Sequence, residues 1–336
     1  MAEFSTLMDA ARRSGSEDAV RIVEVLHQTN DILDDIFWKE CNSGMVHKTT
    51  LRTSLPTPVW RMLNRGVPTG KSTSKQISAG CGMLEIYAEV DKMEVSLAAR
   101  GQVDNASSNA AAAHALAGEN EAFIEGFGQE LARVLLYGDP SKPQEPVGLT
   151  HYYNELGGET AKNIIDAGGT GSDNTSIWLV AWGDRSIHGI YPQGSKAGFS
   201  EKFLGEVTLT DEDGNMYQGY RTHYKWDNGL VVRDHRCAVR ICNVDMTKLL
   251  TGATDAADLV DLMATAKYRL PKKAIAGCRL AFYARPEILE VLDRQTRKTN
   301  NLMLDYSTVQ GREVNTFRGI PIRTQESILD SEARVQ

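Results

Sequence analysis

The sequence lacks a long apolar run and has few cysteines. No stretch approaches the roughly 18 apolar residues that span a bilayer, and the first residues, MAEFSTLMDAARRSGSED, have no apolar signal-peptide core. We therefore expect a soluble protein that is made in a cytoplasm and has no membrane partner. The five cysteines lack the paired spacing of a disulfide framework or a zinc site, so we expect reduced thiols that mostly pack.

An excess of positive charge is also missing. The 336 residues include 37 Lys and Arg against 44 Asp and Glu, which gives a formal net charge of −7. Domains built to bind nucleic acid are usually basic, so sequence-specific binding to DNA or RNA is not expected. The length is enough for about two domains at roughly 150 residues each.

One segment lacks acidic residues altogether. No Asp or Glu occurs from Cys41 to Leu84, a stretch that contains Lys48, Arg52, Arg61, Arg65, Lys71 and Lys75. Its pattern predicts two strands at 51–64 and 83–97 around a Gly/Ser/Thr-rich tip at 65–82, which together form a long flap. An isolated hairpin is not stable in water, so the flap needs a partner surface. That surface could be the rest of the chain, a polyanion or another copy, and the remaining sequence favours another copy.

Two helices are predicted around the flap. Residues 17–40 carry apolar side chains at helical spacing on one face: Ile22, Val25, Leu26, Ile32, Leu33, Ile36 and Phe37. After the flap, residues 107–137 combine helix-forming Ala and Glu with apolar residues at every fourth position, and Gly138-Asp139-Pro140 ends the pattern. At 1.5 Å per residue this second helix would be about 45 Å long.

Strands dominate the region that follows, and strands alternate with helices near the carboxyl end. SIWLVAWG and SIHGIYP read as strands, and Asp213-Gly214 and Asn228-Gly229 each predict a hairpin turn. The later pattern predicts a strand at 236–244, helices at 254–267 and 286–298, a strand at 279–284 and closing strands at 313–324. The fold class is therefore α+β.

Several strings in this order resemble the tailed-bacteriophage major capsid protein with the Hong Kong 97-type fold. They are PVWRMLNRGVP, the long helix ending in YGDP, SIWLVAWGDRSIHGIYPQGSKAGF, RCAVRICNVD and FRGIPIRTQESIL. The resemblance implies an N-terminal arm at 1–48, an extended β-hairpin loop at 49–92, a peripheral domain at 93–235 with a spine helix at 105–137, an axial α+β domain at 236–325, and a C-terminal tail at 326–336 that returns to the peripheral domain.

The resemblance also implies a function. Many copies would form hexamers and pentamers that close into an icosahedral head around double-stranded DNA, in a virion assembled in the host cytoplasm. A separate scaffolding protein is expected, because the arm begins within about sixteen residues. The resemblance also implies a portal, and it leaves the presence of a cementing protein open. An encapsulin-type shell is the alternative of the same fold, and a Cys/His hydrolase using Cys237 and His235 is the alternative from another class.

The candidate contact residues lie in the flap: Arg52, Trp60, Arg61, Arg65, Lys71 and Lys75. Trp60 is singled out because aromatic and Arg anchors dominate interface energies, and the flap has little core of its own. Some family members crosslink a flap Lys to a neighbouring Asn, but no acceptor Asn is identifiable for Lys71 or Lys75. No catalytic, cofactor-binding or metal-binding residue is expected.

Three patterns have a structural interpretation that we prefer. Gly66–Ser72 is one residue short of a phosphate-binding loop and is followed by no helix, so it is interpreted as a mobile flap tip. His235 and Cys237 are expected on one face of a strand that also carries Cys242. Asp255, Asp258 and Asp261 are expected on the solvated face of a helix.

Overall fold

The computed structural model describes residues 28–98, 122–158, 160–195, 199–298, 304–309 and 312–336. The chain forms two compact units. The first contains Gln28 and the described parts of Met83–Leu131 and Gly198–Asp227, and the second contains those of Thr29–Gly82, Ala132–Ala197 and Asn228–Gln336. In these ranges no helix has the length and apolar character needed to cross a membrane.

The described elements are mixed, which confirms the α+β class. The helices are α1 Ile32–Asp35, α2 Lys92–Ala98, α3 at 122–137, α4 Leu149–Tyr152, α5 Met246–Thr251, α6 Leu259–Arg269 and α7 Pro286–Lys298. The strands are β1 Trp38–Glu40, β2 Val46–Ser54, β3 Thr73–Gly80, β4 Gly82–Asp91, β5 Ile164–Asp166, β6 Asn174–Trp182, β7 Ile187–Tyr191, β8 Phe199–Thr210, β9 Met216–Val232, β10 Ala238–Asp245, β11 Arg279–Ala284, β12 Leu304–Val309, β13 Arg312–Phe317 and β14 Ile320–Thr324.

The second unit is built around β6. This strand is buried along its whole length and pairs antiparallel with β10 on one side and β11 on the other. Beyond β11 the sheet continues through β14, β13 and β12, while β5 adds to the far side of β10. Buried side chains of α5, α6 and α7 join those of the sheet in one apolar core, which includes Leu259, Met263, Ile288 and Leu292.

The carboxyl-terminal residues are tied into this unit by buried polar groups. Arg240 on β10 donates to Glu332 Oε2 at 2.9 Å and to the carbonyl oxygen of Tyr153 at 2.8 Å. Asn243 accepts a hydrogen bond from the Val335 amide at 2.8 Å and donates to the Val335 carbonyl at 3.0 Å. Arg240 and Glu332 are both buried, so the removal of either would leave a buried charge without its counter-ion.

The predicted helix at 17–40 is wrong in its second half, and its first half, 17–27, lies outside the described residues. Helix α1 covers one turn, Ile36 is already extended, and β1 follows in parallel pairing with β7. Tertiary contacts explain the early end of the helix. The buried Asp35 carboxylate accepts hydrogen bonds from Tyr283 and Arg323, at 3.0 and 3.1 Å. These bonds outweigh helix propensity, which is a weak preference.

The first unit contains the hairpin of β8 and β9. Its turn includes Asp213-Gly214, where Gly214 has a positive φ of 83°, so this hairpin prediction is confirmed. Tyr220 and Tyr224 of β9 pack with Val90 of β4 and Phe127 of α3 in a separate apolar core. The long predicted helix is present as α3 in its described part, and residues 105–121 lie outside the described residues.

Local predictions near the carboxyl end have mixed outcomes. The strand 279–284 and the helix 286–298 match β11 and α7 at both ends. The three-aspartate helical face is wrong, because α6 begins after Asp258, whose side chain caps it by accepting from the Asp261 amide. Asp255 precedes the helix and pairs with Lys248 at 2.7 Å.

The turn predicted at Asn228-Gly229 is also wrong, because both residues lie inside β9. Gly229 is required there for close packing and not for a turn. A Cβ atom on it would lie 2.6 Å from the carbonyl oxygen of Gly80. The glycine therefore marks the place where the end of the flap meets β9.

Candidate assembly interface

The flap is a two-stranded hairpin of β2 and β3. The register runs from Val46 opposite Gly80 to Ser54 opposite Thr73. The predicted strands at 51–64 and 83–97 are therefore wrong in position, since β2 ends at Ser54 and the strand at 83 belongs to β4. Pro56 and Pro58 lack the amide hydrogen that a ladder needs, which explains why pairing stops before them.

The flap tip, residues 55–72, exposes a row of apolar side chains. Trp60 is 100% exposed and Leu63 is 88% exposed, and the others are Leu55, Val59, Met62 and Val67. Single exposed apolar residues are ordinary, whereas a contiguous exposed set marks an interaction surface. Trp60 was predicted from the sequence and its companions were not, although PVWRMLNRGV shows an apolar cluster between prolines.

The same flap carries unpaired positive charge. Arg52, Arg61, Arg65, Lys71 and Lys75 are all exposed, and none has an ion-pair partner within the described part of the chain. All six sequence-predicted contact residues therefore lie on this one exposed hairpin. A surface that combines apolar side chains with cations suits a partner surface that is apolar and acidic.

The flap root is packed, in contrast to the exposed tip. We define the root as Cys41, Ala79, Cys81, Ile190 and Val231. These side chains form a small apolar cluster in which Cys41, Ile190 and Val231 are buried. The main chain is fixed as well, since the Cys41 amide donates to the Tyr191 carbonyl at 2.9 Å. The root therefore holds the flap, while the tip is left without a core.

Two buried histidines lie beside the root. His47 of β2 and His188 of β7 are in edge-on contact, with ring centroids 5.4 Å apart. Burial, and then the neighbouring His47, lower the pKa of His188 to about 4. Burial also lowers the pKa of His47. The charged groups that act on both rings are Lys39, Asp184 and Arg233.

An apolar groove of about 480 Å³ lies in the first unit. Leu84, Ile86 and Phe123 line it, and Glu85 and Glu130 add carboxylates. Ile86 is 45% exposed. The groove is therefore mainly apolar, and its Glu85 carboxylate already pairs with Lys225 and His223, each at 3.0 Å.

The residues of the hydrolase alternative do not form a catalytic site. His235 and Cys237 lie in a short 3-10 turn before β10, so the prediction that they share a strand face is wrong. Burial raises the pKa of Cys237 to about 12 and that of Cys242 to about 11. A thiol that stays protonated at neutral pH is a poor nucleophile. Within the described ranges no group of His, Cys, Asp or Glu could hold a metal ion.

Gly66–Ser72 lies in the flap tip, as expected. The segment that follows it is β3, so no helix N-terminus is present to meet a phosphate.

Comparison with known protein families identifies the family of this chain. The sequence profile described as Major capsid protein GP7 matches residues 14–336. The chain belongs to this family. It is a bacteriophage major capsid protein, a structural subunit and not an enzyme. This assignment confirms the predicted function and sets aside the hydrolase and encapsulin alternatives.

Solved structures similar to this capsid protein include a chain of bacteriophage Epsilon15. That chain is 32% identical, with a TM-score of 0.74 over 99% of this chain and 98% of that chain. The holo-SrpI encapsulin of Synechococcus elongatus is 10% identical, with a TM-score of 0.44 over 70% and 95% of the two chains. A native GTA particle capsid is 8% identical, with a TM-score of 0.45 over 68% and 94%. A search of curated sequences gives no match.

Proposed function

We propose that the flap tip is the principal contact between neighbouring copies of this capsid protein. The observation that carries the proposal is Trp60, which is fully exposed in a row of apolar side chains on a cationic hairpin. A large aromatic ring in water gains most when a partner buries it. Arg52, Arg61, Arg65, Lys71 and Lys75 then pair with carboxylates of the neighbouring copy.

The receiving surface is the groove lined by Leu84, Ile86 and Phe123 on the neighbouring copy. Its apolar walls match the apolar row of the tip, and Glu85 would exchange its present partners, Lys225 and His223, for cations of the tip. Electrostatic complementarity of this kind sets the register of a contact and discourages wrong pairings more than it adds affinity.

The assembly built from this contact is a closed icosahedral shell of hexamers and pentamers. Its parts are the arm at 1–48, the extended loop at 49–92, the peripheral domain at 93–235, the axial domain at 236–325 and the tail at 326–336. The shell assembles in the host cytoplasm with a scaffolding protein, a portal and a cementing protein. It encloses double-stranded DNA without reading its sequence, consistent with a net charge of −7 that does not favour tight phosphate binding.

Site-directed crosslinking tests the contact. A Leu63→Cys copy and an Ile86→Cys copy are co-assembled and treated with a short thiol-reactive crosslinker; Trp60 is retained so that assembly is preserved. Crosslinked dimers are expected in particles and not in dilute subunits. Met216→Cys, which replaces another exposed side chain of the first unit, is the matched control for Ile86→Cys. Normal particles that give no dimers beyond those of this control would show that another segment occupies the groove.

A further inference from the structure

Two cysteines at the flap root meet across a gap of forty residues in the sequence. The Sγ atoms of Cys41 and Cys81 are 3.5 Å apart. Cys41 lies just before the flap begins, and Cys81 separates β3 from β4. Hydrogen bonds fix the main chain on both sides: the Cys41 amide donates to the Tyr191 carbonyl, and the Cys81 amide donates to the Met45 carbonyl, each at 2.9 Å.

This geometry is close to that of a disulfide. A disulfide bond is about 2.05 Å long, so the two sulfur atoms must approach by about 1.5 Å for the bond to form. The surrounding side chains of Ile190 and Val231 are apolar. The strands that leave the root are already paired, with Val46 opposite Gly80.

We propose that Cys41 and Cys81 form a redox-dependent disulfide that closes the flap into a covalent ring. The ring contains all of β2, the flap tip and β3. In the reduced protein the flap root is held by packing and hydrogen bonds alone. In the oxidised protein the two legs of the flap cannot separate at the root, whatever happens to the tip.

The chemistry needs a disulfide oxidant, for which glutathione disulfide serves. The thiolate of Cys81, the less buried of the two, attacks one sulfur of the oxidant and releases one glutathione thiolate, which takes up a proton. The Cys41 thiolate then attacks Cys81 Sγ, forms the new S–S bond and releases a second glutathione. The protein loses two protons and two electrons in total, and the oxidant gains them as two glutathione thiols. Burial raises the pKa of Cys41, so the second step accelerates as pH rises.

The timing of this oxidation rests on the proposed assembly in a host cytoplasm. Cytoplasmic thiols are kept reduced, whereas the medium outside a cell is oxidising. Subunits would therefore assemble with an open ring, and released particles would close it. The flap can adjust during assembly and is secured afterwards.

Limited trypsin digestion tests the ring on the full-length, unassembled subunit. Trypsin cleaves after exposed flap residues such as Arg61 and Arg65, which lie between the two cysteines. After treatment with glutathione disulfide, the two fragments are expected to stay joined on a denaturing gel without reductant and to separate with it. Mass spectrometry should find the Cys41 and Cys81 peptides linked.

Cysteine variants identify the bond. Cys41→Ser and Cys81→Ser should each release the fragments without reductant, whereas Cys278→Ser should behave as the natural protein. The same chain before and after oxidation is the internal comparison, so a variant that folds poorly does not decide the result. Separated fragments from the oxidised natural protein, with Cys81 recovered as a thiol or a glutathione adduct, would overturn the proposal. Because the subunits are unassembled, this outcome is independent of the flap-to-groove contact.

Discussion

Replacement of Trp60 by Ala should block shell assembly at ordinary protein concentration while leaving the subunit folded. A tryptophan side chain carries roughly 150–250 Å² of surface, and at about 25 cal/mol per Å² its complete burial gives about 4–6 kcal/mol. Truncation of a central aromatic anchor costs less than complete burial, about 3 kcal/mol. That loss corresponds to a factor of about 150 in each contact constant. Trp60 is 100% exposed in the subunit, so the free energy of unfolding should change by less than about 0.5 kcal/mol.

The assay separates folding from assembly. Circular dichroism melting of dilute subunits should give the same Tm for the variant and the natural protein. Sedimentation and negative-stain microscopy over a concentration series should show that particles of the variant need about a hundredfold more protein, which is the contact loss expressed as a concentration. Met216→Ala is the matched control, because Met216 is 78% exposed and lies outside the flap. Closed particles at the ordinary concentration, or a variant subunit that unfolds, would refute the assignment of Trp60 to an intersubunit contact.

Two further predictions concern residues next to the flap root. Gly229→Ala should loosen it by about 1–3 kcal/mol, since the new Cβ would lie 2.6 Å from the Gly80 carbonyl oxygen, and faster hydrogen exchange in β2 and β3 would report the change. Gly66→Ala, where a Cβ meets nothing within 4 Å, is the control, and equal exchange in both variants would contradict the prediction. His188 should make the subunit less stable in acid. Its pKa in the folded protein is about 4, below the ordinary value near 6.5. The unfolded chain therefore binds the proton first, and the free energy of unfolding falls as pH drops from about 6.5 to about 4. At about 1.4 kcal/mol per pH unit the loss reaches about 3 kcal/mol, and urea unfolding of His188→Phe should show a flatter pH dependence.

Sequence patterns predicted the elements that local chemistry determines. Strand 279–284 and helix 286–298 were predicted at both ends, because alternating apolar residues and an amphipathic repeat starting at Pro286 are strong local signals. The turn at Asn228-Gly229 failed because the same dipeptide serves a different purpose, the close approach of Gly80. The helix through residue 40 failed because Asp35 bonds to residues more than 200 positions away.

The candidate interface also has features that the sequence predicts and contacts that it does not. The absence of Asp and Glu from Cys41 to Leu84 and the presence of Trp60 in that segment can be read directly from the sequence. The flap and its cationic contact residues could therefore be proposed from sequence. The contact between Cys41 and Cys81 could not, because nothing in their spacing distinguishes a spatial pair from two separate core thiols. The His47–His188 contact is hidden for the same reason, since each ring lies on a different strand and neither belongs to a recognisable motif.

The flap has a root that is packed within the chain and a tip whose apolar side chains are exposed. The root contains buried Cys41, Ile190 and Val231, and its hydrogen bonds are made within the chain. The tip contains Trp60 and Leu63, which are 100% and 88% exposed. A subunit built in this way keeps a gain in apolar burial for association. In the proposed shell, contacts of a few kcal/mol would be individually reversible, so that misplaced subunits can leave, and the many contacts of each copy would make the closed shell stable.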